Sequence, residues 1–410
     1  MLFIYNLLTH LASYFLKIVA LFNPKIKLFV NGRKTVFLIL KEKIKPTDKT
    51  IWIHCASLGE FEQGLPIIEK LKLEYTSHKI VVSFFSPSGY EVKKNSTIAD
   101  VIVYLPLDTK QNAKHFLEAV HPDLVVFVKY EFWPNYLSAL KRSNIKTLLV
   151  SAIFRENQAF FKFYGKWMQK YLTAFEHFFV QNEASKQLLE HIGFSNVTVS
   201  GDTRFDRVSA IVERDNSLED IANFKQEQTT IVYGSSWEDD EIIYVDFLNA
   251  SENIKHIIAP HDIKKHKIEQ LKKRISKKVL LYSEKQGRVL ADYDVLIIDS
   301  IGLLTKVYHY ADIAFVGGAF KTGLHNVLEP AVFGIPIVIG NQYEKFQEAK
   351  DLVAQKGVLS VHSKEEYLKV IQYLLEEKNR KMIGKINQQY ITKKSGATQK
   401  IMGYIQKNSL

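Results

Sequence analysis

The chain reads as an α/β protein built from two consecutive doubly wound domains. Three observations predict this. Apolar runs of strand length recur from end to end, with helical stretches between them. The runs are continuously hydrophobic rather than alternating, as expected of parallel strands buried on both faces. The pattern stops over the polar, charged stretch 212–228 and then restarts. A chain of 410 residues accommodates two domains of roughly 150–200 residues each. Its composition, 46% hydrophobic and 24% charged, is that of a globular protein.

The first element is the mostly apolar stretch Leu2–Phe22. At about 1.5 Å per residue it is long enough for a bilayer core of about 30 Å. Its polar residues Asn6, Thr9, His10, Ser13 and Lys17 recur at helical spacing and form one stripe. Such a helix lies in a membrane interface, spans while the stripe packs on protein, or caps the domain as a soluble amphipathic helix, and the width of its apolar face favours the membrane. It lacks the basic start and small-residue cleavage site of a signal peptide. Lys25, Lys27, Arg33 and Lys34 follow and suit an anionic cytoplasmic leaflet. The remaining charge is scattered. The balance of 55 basic against 44 acidic residues gives +11, which favours an anionic partner. No long basic run with interleaved aromatics is present, which argues against nucleic acid. The single cysteine, Cys55, excludes an intramolecular disulfide and a cysteine zinc site. Its apolar surroundings predict buried packing.

The first set of predicted strands is Thr50–Cys55, Ile80–Phe85, Val101–Leu105, Leu124–Val128, Thr147–Ser151, Phe178–Gln181 and Val197–Ser200. The second is Thr230–Gly234, His256–Ala259, Val279–Tyr282, Val295–Ile298, Ile313–Val316, Ile335–Ile339 and Val358–Val361. The expected organisation is therefore an N-terminal helix over 1–23, a first domain over 24–211, a linker over 212–228 and a second domain over 229–410 with C-terminal helices. Two such halves imply a cleft between them as the default active site.

Ligands of open α/β sheets collect beyond the carboxyl ends of the strands. Ser57-Leu58-Gly59-Glu60 stands there, between the first strand and a helical stretch, so Glu60 is positioned to take a proton from a substrate. Glu131 recurs in the same context, in Tyr130-Glu131-Phe132-Trp133-Pro134-Asn135 after the fourth strand. Arg204, in Ser200-Gly201-Asp202-Thr203-Arg204-Phe205-Asp206, would hold a phosphate or carboxylate by paired hydrogen bonds, or pair with Asp202 or Asp206. In the second half a strand ends in Gly317-Gly318, and Gly323-Leu324-His325-Asn326-Val327-Leu328-Glu329 follows. A helix beginning near Asn326 would offer free N–H groups to phosphate, with Glu329 one turn in to accept from a ribose. The alternative is a cap, close to a capping box. Pro260-His261 and Asp299-Ser300-Ile301-Gly302-Leu303 sit in two more loops after strands. Asp292-Tyr293-Asp294 lies before a buried strand and reads as an edge turn. Neither Gly-x-Gly-x-x-Gly nor a P-loop occurs in the required context, and Gly-x-Ser-x-Gly is absent.

Taken together and in order, Ala56-Ser57-Leu58-Gly59-Glu60, Tyr130 to Asn135, Ser200 to Asp206 and Gly317-Gly318 with His325 to Glu329 resemble the 3-deoxy-D-manno-octulosonic acid (Kdo) transferases. The N-terminal helix is similar to that family's membrane anchor. The resemblance implies a GT-B architecture, two Rossmann-like domains facing a cleft. It implies transfer of Kdo from CMP-Kdo to the tetraacyl-disaccharide bisphosphate lipid A precursor, with inversion and without metal or other cofactor. The first domain would bind the acceptor and the second the donor. Glu60 is then the general base, and Glu131 and Arg204 fall where the family stabilises the transition state. Pro260, His261, Ile301, Gly302, Leu303, Asn326, Val327, Leu328 and Glu329 fall at CMP-binding positions. The expected location is the cytoplasmic face of the inner membrane of a Gram-negative bacterium. The chain departs from the family at His261, where Arg is usual, at Gly302-Leu303-Leu304, where Gly-Glu-Leu is common, and at Trp237, where many members carry His. The competing readings are another nucleotide-sugar enzyme of this fold, a UDP-sugar transferase or epimerase, and a non-catalytic glycolipid-binding protein of the membrane surface.

Overall fold

The computed structural model describes residues 1–408. The chain forms two compact units. The first comprises Met1–Arg207 with Ser395–Leu410, the second Val208–Lys394.

The first unit holds seven parallel strands: β1 (Lys49–Cys55), β2 (His78–Phe84), β3 (Val101–Tyr104), β4 (Leu124–Val128), β5 (Lys146–Ala152), β6 (His177–Val180) and β7 (Val197–Val199). Their order across the sheet is β3-β2-β1-β4-β5-β6-β7. The second unit repeats the plan with β8 (Thr229–Ser236), β9 (Ile254–Pro260), β10 (Val279–Leu281), β11 (Val295–Ile297), β12 (Ile313–Val316), β13 (Ile337–Ile339) and β14 (Val358–Ser360), ordered β10-β11-β9-β8-β12-β13-β14. Each predicted strand is present, with no end displaced by more than two residues. Burial explains the agreement. β4 and β12 are buried at every position, so neither can carry the alternation of a half-exposed strand.

Both sheets reverse strand order at their first strand. β1 pairs with β2 on one side and β4 on the other. β8 pairs with β9 and β12. Such a switch point opens a crevice at the carboxyl ends, because the connecting helices leave to opposite faces.

Two domain boundaries differ from the sequence expectation. Residues 212–228 are not a linker. They contain the helix Glu219–Lys225, with Ile221 and Phe224 fully buried. Lys225 pairs with Asp312 at 2.6 Å, and the Leu218 N–H donates to the Tyr310 hydroxyl at 2.7 Å. The stretch reads as polar because only one face of a short helix turns inward. Likewise the second domain does not run to residue 410. The last helix, Ala397–Lys407, packs Ile401, Met402 and Ile405 into the first unit's core beside Leu124, Leu148 and Phe179. Asp206 fixes its start, accepting from Thr398 N (2.6 Å) and Thr398 Oγ1 (2.7 Å).

The N-terminal helix is present as Leu2–Val19, long and apolar enough by length and composition to cross a membrane. Asn6, Thr9 and Ser13 of its polar stripe are half-buried, while Phe3, Ile4, Leu7, Leu8, Leu11, Tyr14, Phe15 and Ile18 are exposed. The Tyr5 hydroxyl donates to Asp108 at 2.8 Å, and Asn135 Nδ2 donates to the Asn6 side chain at 2.8 Å.

Candidate functional site

Glu60 is the third residue of the helix Leu58–Glu74, which begins straight after β1. Ser57, in extended conformation, precedes the helix and donates its hydroxyl to Glu60 Oε2. A carboxylate in the first turn is favoured by the positive end of the helix, so the anion is held at the crevice edge. Glu131 reaches the same edge from β4, the neighbouring strand. Lys129, immediately after β4, has φ +74°. A non-glycine residue there costs about 1–3 kcal/mol and persists only where the surroundings enforce it. It turns the chain sharply out of the sheet. Beneath Glu131 lies His54, fully buried on β1, with Nε2 3.7 Å from Glu131 Oε2 and 3.3 Å from the Trp133 indole nitrogen. The charges of Glu60 and Glu131 add to burial in pushing the Cys55 thiol up. Cys55 is buried, as expected, and its thiol is kept protonated.

Arg204 stands in the first turn of the helix Thr203–Val212. Its Nε pairs with Asp202 Oδ2 at 2.8 Å, the ion pair weighed from sequence. Asp202 is buried and also accepts from Gln63 Nε2 at 3.0 Å. Thr203 Oγ1 donates to the Gln63 carbonyl at 2.5 Å. Gln63 is one turn beyond Glu60, so the β7 loop is tied to the helix that carries Glu60.

The second unit's carboxyl edge is built differently. At Gly317 an added Cβ would lie 2.5 Å from the Ser235 carbonyl oxygen and 2.7 Å from Asp240 Oδ2, so only glycine fits. Gly318 has φ +93°, a conformation glycine adopts freely. The buried Asp240 carboxylate accepts from Gly318 N (2.9 Å) and Trp237 N (2.8 Å). Burial pushes its pKa up to about 6. The Trp237 Nε1–H donates to His325 Nε2 at 3.0 Å, with the two rings 12° from coplanar. His261 lies flat over both, its centroid 4.2 Å from Trp237 and 4.6 Å from His325. Burial, then the neighbouring His261, lowers the His325 pKa to about 4, so its imidazole is neutral. Pro260 ends β9 beside His261.

The helix expected near Asn326 begins two residues later. The helix is the five-residue Leu328–Val332. Asn326 lies just before it: its Oδ1 accepts from Leu328 N at 3.1 Å and its Nδ2 donates to Glu329 Oε1 at 3.0 Å. Glu329 also accepts from Thr305 Oγ1 at 3.3 Å. Val327 and Leu328 are buried, so they can offer a ligand only backbone. Ile301 is 89% exposed, Gly302 has φ +94° and Leu303 is half-buried, a projecting loop after β11. Among the described residues no group of three or more His, Cys, Asp or Glu is arranged to hold a metal ion.

Sequence reasoning missed His54, Asp108 and Asp240. His54 hides in an apolar run; its one signal was its spacing of two from Trp52, which puts both on the same face of β1. Asp108 accepts the backbone N–H groups of Asn135 (3.1 Å) and Tyr136 (3.0 Å) at the start of the helix Pro134–Arg142.

Similarity to known proteins agrees with this geometry. A sequence profile described as 3-deoxy-D-manno-octulosonic-acid transferase matches residues 32–207. The 3-deoxy-D-manno-octulosonic acid transferase of Aquifex aeolicus is 29% identical over 325 residues, covering 77% of this chain and 83% of that protein. That of Haemophilus influenzae is 27% identical over 391 residues, covering 88% and 89%. A bifunctional glycosyltransferase/methyltransferase of Fusobacterium nucleatum is 28% identical over 392 residues, covering 92% of this chain but only 59% of that longer protein. Among solved structures, UDP-GlcNAc 2-epimerase from Neisseria meningitidis superposes with TM-score 0.61 at 16% identity, covering 87% of this chain and 98% of its own. Acinetobacter baumannii MurG superposes with TM-score 0.54 at 13% identity, covering 88% and 99%. Fold and sequence together define a glycosyltransferase of GT-B architecture, with two Rossmann-like domains. The first half of the chain matches the profile of the 3-deoxy-D-manno-octulosonic acid (Kdo) transferases, and most of its length is similar to members of that family.

Proposed function

We propose that this enzyme transfers Kdo from CMP-Kdo to the tetraacyl-disaccharide bisphosphate lipid A precursor in lipopolysaccharide synthesis, with inversion and without a metal. The observation that carries the reading is the pair of carboxylates, Glu60 and Glu131, at the carboxyl ends of the adjacent central strands β1 and β4. Glu60 takes the proton of the attacking sugar hydroxyl. The oxygen bonds to the anomeric carbon of Kdo as the bond to the phosphate oxygen breaks, and CMP departs with that electron pair. Glu131 faces the positive character that develops on the reacting carbon. Arg204, oriented by Asp202, offsets negative charge on the departing phosphate. In the second domain the Gly317-Gly318 turn packs tightly on Ser235, Asp240 and Gly323, and Pro260, His261, Ile301, Gly302, Leu303 and Asn326 to Glu329 line the CMP side.

The N-terminal helix docks the enzyme on the cytoplasmic leaflet of the inner membrane. Its exposed apolar face is broad, and Tyr5 and Asn6 bind it to the first domain. A helix held against the domain in this way lies in the interface with its apolar face in lipid. Leu11→Asp with Phe15→Asp is expected to release the protein from anionic vesicles in a flotation assay. Undiminished binding would assign docking to the basic surface instead.

Incubation of the purified protein with CMP-Kdo and the tetraacyl precursor tests the reaction, with the lipid read by mass spectrometry. Lipid heavier by one or more Kdo units, absent with Glu60→Gln, is the expected result. Unchanged lipid with folded, membrane-bound protein, or transfer from UDP-sugars instead, would overturn the reading.

A further inference from the structure

We propose that Asp108 is a positioning residue for Glu131, and that the N-terminal helix Leu2–Val19 holds Asp108 in that task. The inference rests on the role given to Glu131 above. It makes the membrane-docking helix a working part of the first domain's carboxyl edge as well as an anchor.

Glu131 lies in the loop 129–133, between β4 and the helix Pro134–Arg142. One end of the loop is fixed at the sheet, where the Lys129 N–H donates to the Val150 carbonyl at 2.8 Å. The other end is fixed by the first turn of the helix. The first N–H groups of a helix have no intrahelical partners, and a polar side chain just before the helix usually accepts from the second or third. Here that place is held by Trp133, whose side chain makes no such bond. Asp108 supplies the cap from a distant part of the chain. Its Oδ2 accepts from Asn135 N at 3.1 Å and its Oδ1 from Tyr136 N at 3.0 Å, the second and third residues of the helix. Asp108 is 2% exposed, and buried amides left without an acceptor are costly.

The N-terminal helix completes this cap by two bonds. The Tyr5 hydroxyl donates to Asp108 Oδ2 at 2.8 Å. The Asn135 side-chain amide has two protons to give. One goes to the Asp108 carbonyl at 2.7 Å and the other to Asn6 Oδ1 at 2.8 Å. Burial raises the Asp108 pKa, and the Asn135, Tyr5 and Tyr136 donors pull against it. Each donor lost therefore weakens the anion that holds the helix start. Tyr5 and Asn6 are half-buried, whereas Leu7, Leu8, Leu11 and Phe15 are exposed. The grip on Asp108 and the face offered to lipid are thus different residues, and substitution can separate them.

The test compares two full-length variants with the parent. Tyr5→Phe with Asn6→Ala removes the hold of the N-terminal helix and leaves Asp108 in place. Asp108→Asn keeps one acceptor oxygen where the cap uses two. Kdo transfer from CMP-Kdo is measured on vesicles carrying the tetraacyl precursor, well below the thermal midpoints, as kcat and KM for CMP-Kdo. Vesicle flotation and thermal midpoints are read alongside. Asp108→Asn is expected to lower kcat about tenfold to a hundredfold, the range of one hydrogen bond to a charged group. The Tyr5 and Asn6 pair should lower it about threefold to tenfold, a smaller loss because the cap itself remains. KM should stay nearly unchanged, and flotation should match the parent. In a Glu131→Gln background neither variant should cost much more, because each acts through Glu131. Normal kcat beside a lowered thermal midpoint would show a cap that serves stability alone and would overturn the proposal. Losses that add in full to those of Glu131→Gln would overturn it too. Normal kcat in the Tyr5 and Asn6 pair alone, or lost flotation there, would overturn the part given to the N-terminal helix. Full activity of Glu131→Gln would remove the role of Glu131 and this inference with it. Impaired Glu131→Gln beside two fully active variants would remove the inference alone.

Discussion

The two carboxyl edges of this molecule have the same topology and opposite construction. In the first domain the candidate groups are side chains, and other side chains contact them: Ser57 on Glu60, His54 under Glu131, Asp202 on Arg204. In the second domain the backbone comes forward. Gly317 and Gly318 let the backbone pack closely on Ser235, Asp240 and Gly323, Asp240 grips two amide N–H groups, and an aromatic layer of Trp237, His261 and His325 covers one side. The difference suits the two tasks proposed for them. Proton transfer needs an anion at a defined point, whereas holding a nucleotide needs a concave surface of backbone donors and flat rings.

The sharpest way to separate the two edges is Glu60→Gln. It should cost about 10²–10⁴-fold in kcat, the usual share of general-base help, while CMP affinity measured by calorimetry stays within about twofold. A parallel loss of CMP affinity would mean that the two edges do not divide the work.

Glycine substitution should separate them next. Gly317→Ala drives a Cβ against the Ser235 carbonyl and Asp240, and such overpacking costs about 1–3 kcal/mol. CMP affinity should fall with the thermal midpoint. Gly59→Ala, in the first domain's helix, meets nothing nearer than Ser57 Oγ at 3.8 Å. Its stability should change by less than about 0.5 kcal/mol. If Gly317→Ala were equally silent, backbone approach would not be what that rim supplies.

A third contrast concerns His261 and Trp237, two of the departures from the family pattern. They are in contact, with ring centroids 4.2 Å apart, so they form one structural unit rather than two unrelated changes. A double-mutant cycle of Trp237→Ala and His261→Ala should give a coupling of about 0.5–1.5 kcal/mol in stability, the value of an aromatic pair. Additive effects would mean that the stack is only a coincidence of packing.

The contrast between the edges also decides what could be read from the sequence. The strands were legible because burial on both faces forces continuous hydrophobicity. The places of Glu60, Glu131 and Arg204 just after strands were legible for the same reason, while the roles expected of them came from the resemblance. His54 and Asp240 were not, since their importance lies in hydrogen bonds to residues distant along the chain or to backbone. The helix Glu219–Lys225 was taken for a linker because only Ile221 and Phe224 turn inward. The helix Ala397–Lys407 shows an apolar stripe, but no local pattern tells which sheet will receive it. Asn326 and Glu329 suit a cap and a nucleotide site with the same residue types, and only coordinates show that their side chains bond each other beside a five-residue helix.

A final substitution tests whether the second edge depends on charge at all. Asp240 Oδ2 accepts two backbone N–H groups, while Oδ1 is buried without a hydrogen-bond partner. Burial is what raises its pKa from 3.8 to about 6. The sign follows from linkage. A folded-state pKa above the unfolded value contributes stability that is fully present below about pH 4 and is lost as pH rises through about 6. Near neutral pH the fold therefore carries a buried anion with one oxygen unpaired. Asp240→Asn keeps an oxygen for both amides and removes the charge. Its stability relative to the parent should rise by roughly 1–3 kcal/mol between pH 4 and pH 7 and stay level above that, read from thermal midpoints of the second domain. A relative stability that falls as pH rises would mean that the fold prefers the anion. The second edge would then be organised by charge like the first, and the contrast between them would fail.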